Sequence, residues 1–283
     1  MLLLIDAGNT RIKWALVDDG AALGVWAACG ELVHAELAQL PVALQRALSG
    51  RIVARALISN VAGAALRLSL GAALDAALGN MRPATGIGWF ASLPQLAGLT
   101  NGYRHPAQLG CDRFAGAIGA RACFPGRALI VATCGTATTI DAITPDGLFV
   151  GGMIMPGLGL MASALARNTA QLPQVGPDAT IRSGFADNTD DAIIQGCLAA
   201  QAGAIERAHA AHARASALAS SSPQASQRTR ASLGALTTDR VLGLLSGGAA
   251  SFMAPHLTVP HLVIANIVLI GLQVAANNEE TPC

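Results

Sequence analysis

Charged and aromatic side chains are scarce in this chain of 283 residues. Charged residues make up 12% of the chain and aromatic residues 4%, and Lys13 is the single lysine among 18 cationic residues. The net charge is +1, so the chain has neither the basic surface of a nucleic-acid-binding protein nor an acidic tail. We therefore expect no nucleic-acid partner.

Patterns typical of metal-binding and secreted proteins are also missing. The six cysteines include no C-x-x-C pair and have no accompanying histidine spacing, which argues against a zinc site and a disulfide framework. The opening residues, MLLLID, lack a basic segment and reach an acidic residue too early for a signal peptide. These absences predict reduced thiols and a cytoplasmic protein.

A long uncharged run from Leu148 to Ala166 is, by length alone, a candidate membrane span. The run follows a Pro-Asp-Gly turn and is interrupted by several glycines and by Pro156. Such interruptions are typical of a strand, a loop and the start of a helix. We therefore expect no membrane partner.

Two stretches share one pattern, LLLIDAGNTRIKWALVDDG at residues 2–20 and LIVATCGTATTIDAITPDG at residues 129–147. Each reads as a buried strand, a small polar turn and a second strand. When they are aligned, Asp6 falls on Thr133 and Gly8 on Gly135, and the closing Asp-Gly pairs coincide. The match predicts an internal duplication, with one hairpin in each half.

The rest of the chain alternates predicted strands and helices, which favours an α/β architecture. We expect strands at residues 1–5, 12–16, 55–61 and 241–248, and helices at 62–79, 112–123, 190–209 and about 264–276. Residues 210–238 are rich in Ala, Ser and Arg and poor in large apolar side chains. This composition predicts a surface insertion that is helical in part and disordered in part.

The first hairpin has the residue types of a phosphate-binding turn. Its backbone N–H groups can form an anion-binding concavity, and Gly8 permits the tight bend. Asn9, Thr10 and Lys13 add side-chain donors, while Asp6 could hold Mg²⁺ directly or through water. The alternative is an ordinary Asn-containing hairpin turn with a solvent-facing lysine.

The second hairpin repeats this turn at Gly135 and Thr136. Two facing hairpins of this kind would clamp the β- and γ-phosphates of ATP, although no Walker motif is present. A third turn, Ser246-Gly247-Gly248, could approach the adenosine.

Asp112 stands at the predicted start of a helix and has two interpretations. It could cap the helix, or it could act as a general base that takes a hydroxyl proton during phosphoryl transfer. Arg113 would then bind a carboxylate or a phosphate oxygen. Tyr103, the single tyrosine, is a candidate substrate contact or a surface residue.

An ordered set of motifs covers nearly the whole chain: DAGNTRIK, a Tyr-x-x-Pro leading into LGCDR, GTATTID, GGMIMPG, DNTDDAI and LLSGGAA. Together they resemble the type III pantothenate kinases, the CoaX family of the acetate and sugar kinase, Hsp70 and actin superfamily. The resemblance implies two duplicated actin-like (ribonuclease H-like) domains, each with a mixed central sheet flanked by helices. We expect them at residues 1–115 and 116–283.

The resemblance also implies a function, namely ATP-dependent phosphorylation of pantothenate to 4′-phosphopantothenate, the first step of coenzyme A synthesis. It implies Mg²⁺ with ATP, and a homodimer whose pantothenate site lies at the subunit interface. Matched by motif, Asp112 is the catalytic base, and the ATP and phosphate residues are those of the two hairpins: Asp6, Gly8, Asn9, Thr10, Lys13, Gly135 and Thr136. The matched pantothenate residues are Tyr103, Gly110, Arg113 and, from the neighbouring subunit, Thr189.

One position departs from the family pattern. Thr133 stands where many members have an aspartate that binds a monovalent cation, which argues against a strict requirement for K⁺ or NH₄⁺. Two other functions remain open: a non-catalytic nucleotide-binding regulator of the accessory transcription factor type, and a kinase for another small hydroxy acid. Retention of Asp6, Lys13, Asp112 and Arg113 together favours catalysis.

Overall fold

The structure is a computed structural model that describes residues 1–79, 83, 86–175, 185–220 and 241–278. In chain order the strands are β1 Leu2–Ala7, β2 Arg11–Val17, β3 Ala28–Val33, β4 Arg55–Asn60, β5 Ile87–Trp89, β6 Gln95–Leu96, β7 Leu99–Asn101, β8 Leu129–Cys134, β9 Ala137–Ile143, β10 Leu148–Pro156, β11 Leu242–Ser246 and β12 His261–Val263. The α-helices are α1 Leu40–Leu48, α2 Gly63–Leu78, α3 Cys111–Cys123, α4 Leu158–Asn168, α5 Thr189–Ser220, α6 Ala250–Met253 and α7 Ile267–Ala276. Within these described ranges, no helix combines the length and apolarity needed to cross a membrane.

The chain divides into two compact units. Unit 1 comprises residues 1–124 and 266–283, and unit 2 comprises residues 125–265. These bounds differ from the expected domains, because α3 and α7 both belong to unit 1. The final helix, α7, therefore belongs to unit 1, although all of unit 2 lies between it and the rest of unit 1 in the chain.

Unit 1 is built on a sheet of order β3-β2-β1-β4-β5. β1, β2 and β3 form an antiparallel meander, and β4 and β5 run parallel to β1. Alternation places Ile12, Trp14 and Leu16 of β2 in a core with α1 and α2, and Lys13 points to the opposite face. Asp6, the polar residue near the end of β1, is thus adjacent to this buried apolar core.

The opposite face of this sheet is covered by α3 and α7, which contact β4 and β1. The two helices meet at glycines. A Cβ on Gly271 would overlap the carbonyl oxygen of Ala115, and a Cβ on Gly119 would lie 2.5 Å from the oxygen of Ile267. The backbones approach so closely only because these side chains are absent.

The five described strands that belong to unit 2 repeat the same topology, in the order β12-β11-β8-β9-β10. β8, β9 and β10 form the antiparallel meander, and β11 and β12 run parallel to β8 and to each other. The core of this unit is formed by apolar side chains of the sheet, α5 and α6. The predicted α/β class and internal duplication are confirmed.

The two hairpins differ in register by one residue. Asp6 pairs with Lys13 in the first, whereas Thr133, the counterpart of Asp6, pairs with Thr139 in the second. Thr139 is the counterpart of Ile12 in the sequence alignment, so the pairing is shifted by one residue relative to that alignment. The second turn is shorter, because the Gly135 amide donates to Ala137, two residues on, and the Gly8 amide donates to Arg11, three residues on.

Other elements agree with the sequence or extend it. The predicted strands and helices around residues 55–79, 112–123 and 241–248 are confirmed. Helix α5 continues to Ser220, so the first part of the expected insertion is helix, while residues 221–238 lie outside the described residues. The closing helix begins at Ile267 and is preceded by β12, a strand that the sequence pattern did not predict.

Candidate functional site

Most of the predicted site residues lie at one edge of the unit 1 sheet. Asp6 is near the carboxyl end of β1, Lys13 is opposite it on β2, and Ser59 is beside it on the parallel strand β4. The helices α3 and α7 cover this face, and each begins at this edge, α3 with Asp112 in its first turn and α7 next to Asn266. Two helix N-termini add partial positive charge near Asp6.

The turn that follows β1 is as tight as the sequence predicts. The Gly8 amide donates to the Arg11 carbonyl at 3.0 Å, and Asn9 and Thr10 at the tip are exposed. Exposed backbone amides of this kind can bind a phosphate group.

Lys13 is not a solvent-facing lysine. Its Nζ donates to Oδ1 of Asn266 at 3.3 Å, and both residues are half-buried. Asn266 has φ of +55°, a left-handed conformation that asparagine tolerates better than most residues, and it directly precedes α7. The contact holds the ammonium group at the edge of the sheet that Asp6 occupies.

Asp6 is in a poor environment for a negative charge. The pKa of its carboxyl is raised from 3.8 to about 7, chiefly by burial and secondly by the nearby charge of Asp112, while Lys13 opposes the rise. Its Oδ1 is buried and has no hydrogen-bond partner among the described residues. A carboxylate oxygen left without a donor in this position fits a cation as its partner.

We expect this pKa shift to appear in the pH dependence of stability. Because the folded form holds the proton more tightly than an unfolded aspartate, the free energy of unfolding falls as pH rises between about 4 and 7. Asp6→Asn should remove this component, so its melting temperature relative to wild type should increase from pH 5 to pH 8. Thermal melts at both pH values test this; an unchanged difference would show that Asp6 ionises normally.

Asp112 does not cap its helix. The N-cap position is Gly110, and Asp112 is the second residue of α3, where its Oδ1 accepts from the Arg113 amide at 2.8 Å. Burial raises the pKa of this carboxyl, while that hydrogen bond and the Arg113 charge oppose the rise. A Cβ at Gly110 would lie 2.7 Å from Oδ1, so the glycine makes room for the carboxylate.

A buried polar contact ties the start of α3 to the sheet. The Cys111 thiol donates to the Asn60 carbonyl at 3.6 Å, and Sγ lies 3.4 Å from the hydroxyl of Ser59. Burial raises the pKa of this thiol, which keeps it protonated at neutral pH. The contact thus connects the strand beside Asp6 to the helix that carries Asp112.

Arg113 and Tyr103, which are both predicted to contact substrate, are in direct contact with each other. Nη1 of Arg113 donates to the tyrosine hydroxyl at 2.9 Å, and the guanidinium lies 5.7 Å from the ring centroid. Asn101 in turn accepts a hydrogen bond from the Tyr103 amide. Arg113, which directly follows Asp112 in the chain, thus holds its cation beside an aromatic ring.

Unit 2 gathers its own glycine turns at the end of β8. Gly157, whose amide donates to Thr136 at 2.9 Å, packs against the backbone of Gly135, and Gly247 packs against the backbone of Cys134. Gly247 has φ of +90°, which favours glycine. The second hairpin and the turn Ser246–Gly248 therefore lie side by side.

Thr133 lies among other hydroxyl groups. It is opposite Thr139 on β9 and opposite Ser246 on β11, and the hydroxyl of Thr139 is buried without a hydrogen-bond partner among the described residues. These three groups are neutral, so they would bind a monovalent cation more weakly than the aspartate found in many family members.

Thr189 lies in unit 2, in a different unit from the other predicted pantothenate residues. It is the exposed first residue of α5, and Asn188 caps this helix by accepting from the Asp191 amide at 2.9 Å. Thr189 lines an open cavity of about 1000 Å³, together with apolar side chains such as Met161 and Ile193.

Three residues of the site were not singled out from the sequence: His34, Ser59 and Asn266. The sequence pattern could have indicated Ser59, because it is a polar residue near the end of an apolar strand, as Asp6 is. No sequence pattern indicates His34 or Asn266, because their partners Gly8 and Lys13 are far from them in the chain.

Comparison with known proteins agrees with this geometry. The family model for type III pantothenate kinase matches residues 2–211. Similar proteins include a type III pantothenate kinase from Herminiimonas arsenicoxydans, 51% identical, and one from Janthinobacterium sp. (strain Marseille), 50% identical, each with full coverage of both chains. One from Cupriavidus pinatubonensis is 40% identical over 97% of this chain and 98% of the relative.

Solved structures show the same fold at low sequence identity. A protein named as a Baf family transcriptional activator from Campylobacter jejuni aligns with a TM-score of 0.54 at 18% identity, covering 96% of this chain and 95% of that one. A protein named as a 2-dehydro-3-deoxygalactonokinase from Sinorhizobium meliloti aligns with 0.53 at 16% identity and 98% coverage of both. With full-length relatives at half identity and a family match over most of its length, this chain belongs to the type III pantothenate kinase family.

Proposed function

We propose that this protein transfers the γ-phosphoryl group of ATP to the 4′-hydroxyl of pantothenate, which yields 4′-phosphopantothenate for coenzyme A synthesis. The observation that carries the proposal is the position of Asp112. Its carboxylate is free of a capping role and lies in the first turn of α3, close enough to Asp6 to raise the pKa of that carboxyl.

The predicted site residues at this edge have distinct roles in the proposed reaction. Asp112, whose pKa is raised by burial, accepts the proton of the attacking hydroxyl. The Gly8–Thr10 turn and Lys13 bind phosphate oxygens, and Lys13 leaves Asn266 to do so. Arg113 pairs with the pantothenate carboxylate, while Tyr103 supports it.

Gly135 and Thr136 are proposed to lie against phosphate at the exposed tip of the second hairpin, where the glycine permits close approach of a ligand. Gly110 is proposed to lie against pantothenate, a contact that the missing side chain would also permit.

Asp6 fits the divalent cation that accompanies ATP. Its buried Oδ1 lacks a donor, and a carboxylate oxygen is a ligand that Mg²⁺ prefers. When bound, Mg²⁺ neutralises charge on the phosphate oxygens. Asp6 would hold the ion directly or through a water molecule.

The test is a mass-spectrometric assay of the purified protein with Mg²⁺, ATP and pantothenate, with Na⁺, K⁺ or NH₄⁺ as the sole monovalent cation. We expect 4′-phosphopantothenate in all three, because Thr133 and its neighbouring hydroxyls replace a charged cation ligand. Product with K⁺ or NH₄⁺ alone would show that a cation site persists without the aspartate. A folded protein that binds ATP and yields no product would overturn the pantothenate assignment and favour another acceptor or a regulator.

We further propose a homodimer in which Thr189 completes the pantothenate site of the neighbouring subunit. The exposed apolar cavity beside Thr189 supports a partner there. The test is complementation: Asp112→Asn and Thr189→Arg should each be inactive alone, and the co-expressed pair should regain part of the activity, since one site per mixed dimer is intact. No recovery in a purified mixed dimer would contradict the shared site.

The cytoplasmic location stays a prediction.

A further inference from the structure

The carbonyl of Gly8 is hydrogen-bonded by His34, a residue to which the proposed reaction assigns no role. His34 follows β3 directly and begins a short 3-10 helix, and its Nε2 lies 2.8 Å from the Gly8 oxygen. Because a carbonyl oxygen only accepts hydrogen bonds, Nε2 must carry the proton and donate it. Both polar backbone groups of Gly8 are then engaged, since its amide donates to Arg11.

Holding this oxygen also sets the direction of the next amide. The Gly8 carbonyl and the Asn9 N–H belong to one planar trans peptide and point in opposite directions. In the described part of the chain the Asn9 amide has no hydrogen-bond acceptor, and Asn9 itself is exposed at the tip of the turn. The histidine therefore directs the Asn9 N–H away from its own ring at the exposed tip of the turn, where a phosphate oxygen could accept from it.

His34 is itself firmly placed. Val33 pairs with Arg11 across β3 and β2, and Arg11 forms an ion pair with Glu31 at 2.6 Å on the same two strands. The Glu36 carboxylate accepts from the Val33 amide at 3.2 Å, which fixes the start of the 3-10 helix. These contacts place the imidazole against the turn before any ligand binds.

We propose that His34 is a positioning residue for the nucleotide phosphates, acting through the Gly8–Asn9 peptide of the turn. The inference rests on the proposed function of this turn in ATP binding. A neutral hydrogen bond of this kind changes affinity by about 2- to 10-fold. His34→Phe should therefore raise the KM for Mg²⁺–ATP by that factor and leave the KM for pantothenate unchanged.

Two further variants separate positioning from packing. His34→Gln places an amide N–H at nearly the reach of Nε2 and should restore the KM for ATP, whereas His34→Asn reaches only as far as Nδ1 and should not. If all three variants raise both KM values together, or if glutamine fails to restore the KM for ATP while the melting temperature is unchanged, the inference is overturned.

A binding measurement keeps this inference distinct from the proposed reaction. By calorimetry, His34→Phe should weaken the binding of ADP by about 2- to 10-fold and leave the binding of adenosine unchanged, because adenosine has no phosphate to contact the turn. Equal effects on both ligands, or no effect on ADP, would exclude the role of His34. A wild-type protein that binds ADP but does not phosphorylate pantothenate would contradict the proposed function alone, and the ADP comparison would still decide the role of His34.

Discussion

Asp112→Asn is expected to lower kcat by about 10²- to 10⁴-fold, the usual contribution of a positioned general base. Asparagine keeps the shape of the side chain but cannot accept the proton of the attacking hydroxyl. Its Oδ1 can still accept from the Arg113 amide, so the first turn of α3 should keep its structure. Initial rates at saturating ATP and pantothenate measure the loss.

The affinity for nucleotide should survive this substitution, because no phosphate-binding role is assigned to Asp112. A matched control is Asp19→Asn, which removes a carboxylate whose side chain is 90% exposed and should leave the rate unchanged. Turnover near the wild-type rate in Asp112→Asn would remove this residue from the mechanism.

Gly271→Ala is expected to be the most damaging substitution to folding, with a loss of about 3 kcal/mol or more of the free energy of unfolding. The added methyl group would overlap the backbone oxygen of Ala115, and neither helix backbone can yield without disturbing the face of the sheet that α3 and α7 cover. By the usual relation the melting temperature should fall by roughly 6–12 °C. Because α3 carries Asp112, any surviving folded protein should also have a lower kcat.

The control for this packing lies on α3. Gly119→Ala should also destabilise, since its Cβ would lie 2.5 Å from the oxygen of Ile267. Gly116→Ala, one turn earlier, places its Cβ 3.7 Å from a side-chain methyl of Ile267, an ordinary contact. It should be neutral or stabilising by up to about 1 kcal/mol, because alanine favours helix. Equal melting temperatures for Gly116→Ala and Gly271→Ala would contradict the close helix contact.

Local pattern was sufficient for the elements that depend on neighbours in the chain. The alternation of Ile12, Trp14 and Leu16 predicted β2 and turned Lys13 to the other face, because side chains in a strand alternate by geometry. The repeated Gly turns predicted the duplicated hairpins, and both form. The ordered motifs also led to the correct family.

Local pattern was insufficient where a turn could close in two ways. The two hairpins have the same number of residues from strand to closing Asp-Gly, yet Asp6 pairs with Lys13 and Thr133 with Thr139. Register depends on which side chains the core accepts. Ile140 faces the core of unit 2, whereas Lys13, its counterpart in the alignment, faces away from the core of unit 1.

The α/β class, the duplicated hairpins and the start of α3 near Asp112 were predictable without a structure, because periodicity and turn chemistry act over a few residues. The family followed from the resemblance carried by the ordered motifs. Three other features became known from the packing of the unit: α7 belongs to unit 1, Asn266 accepts from Lys13, and His34 donates to the Gly8 carbonyl. Those contacts join residues far apart in the chain, and only packing of the whole unit brings their atoms within reach.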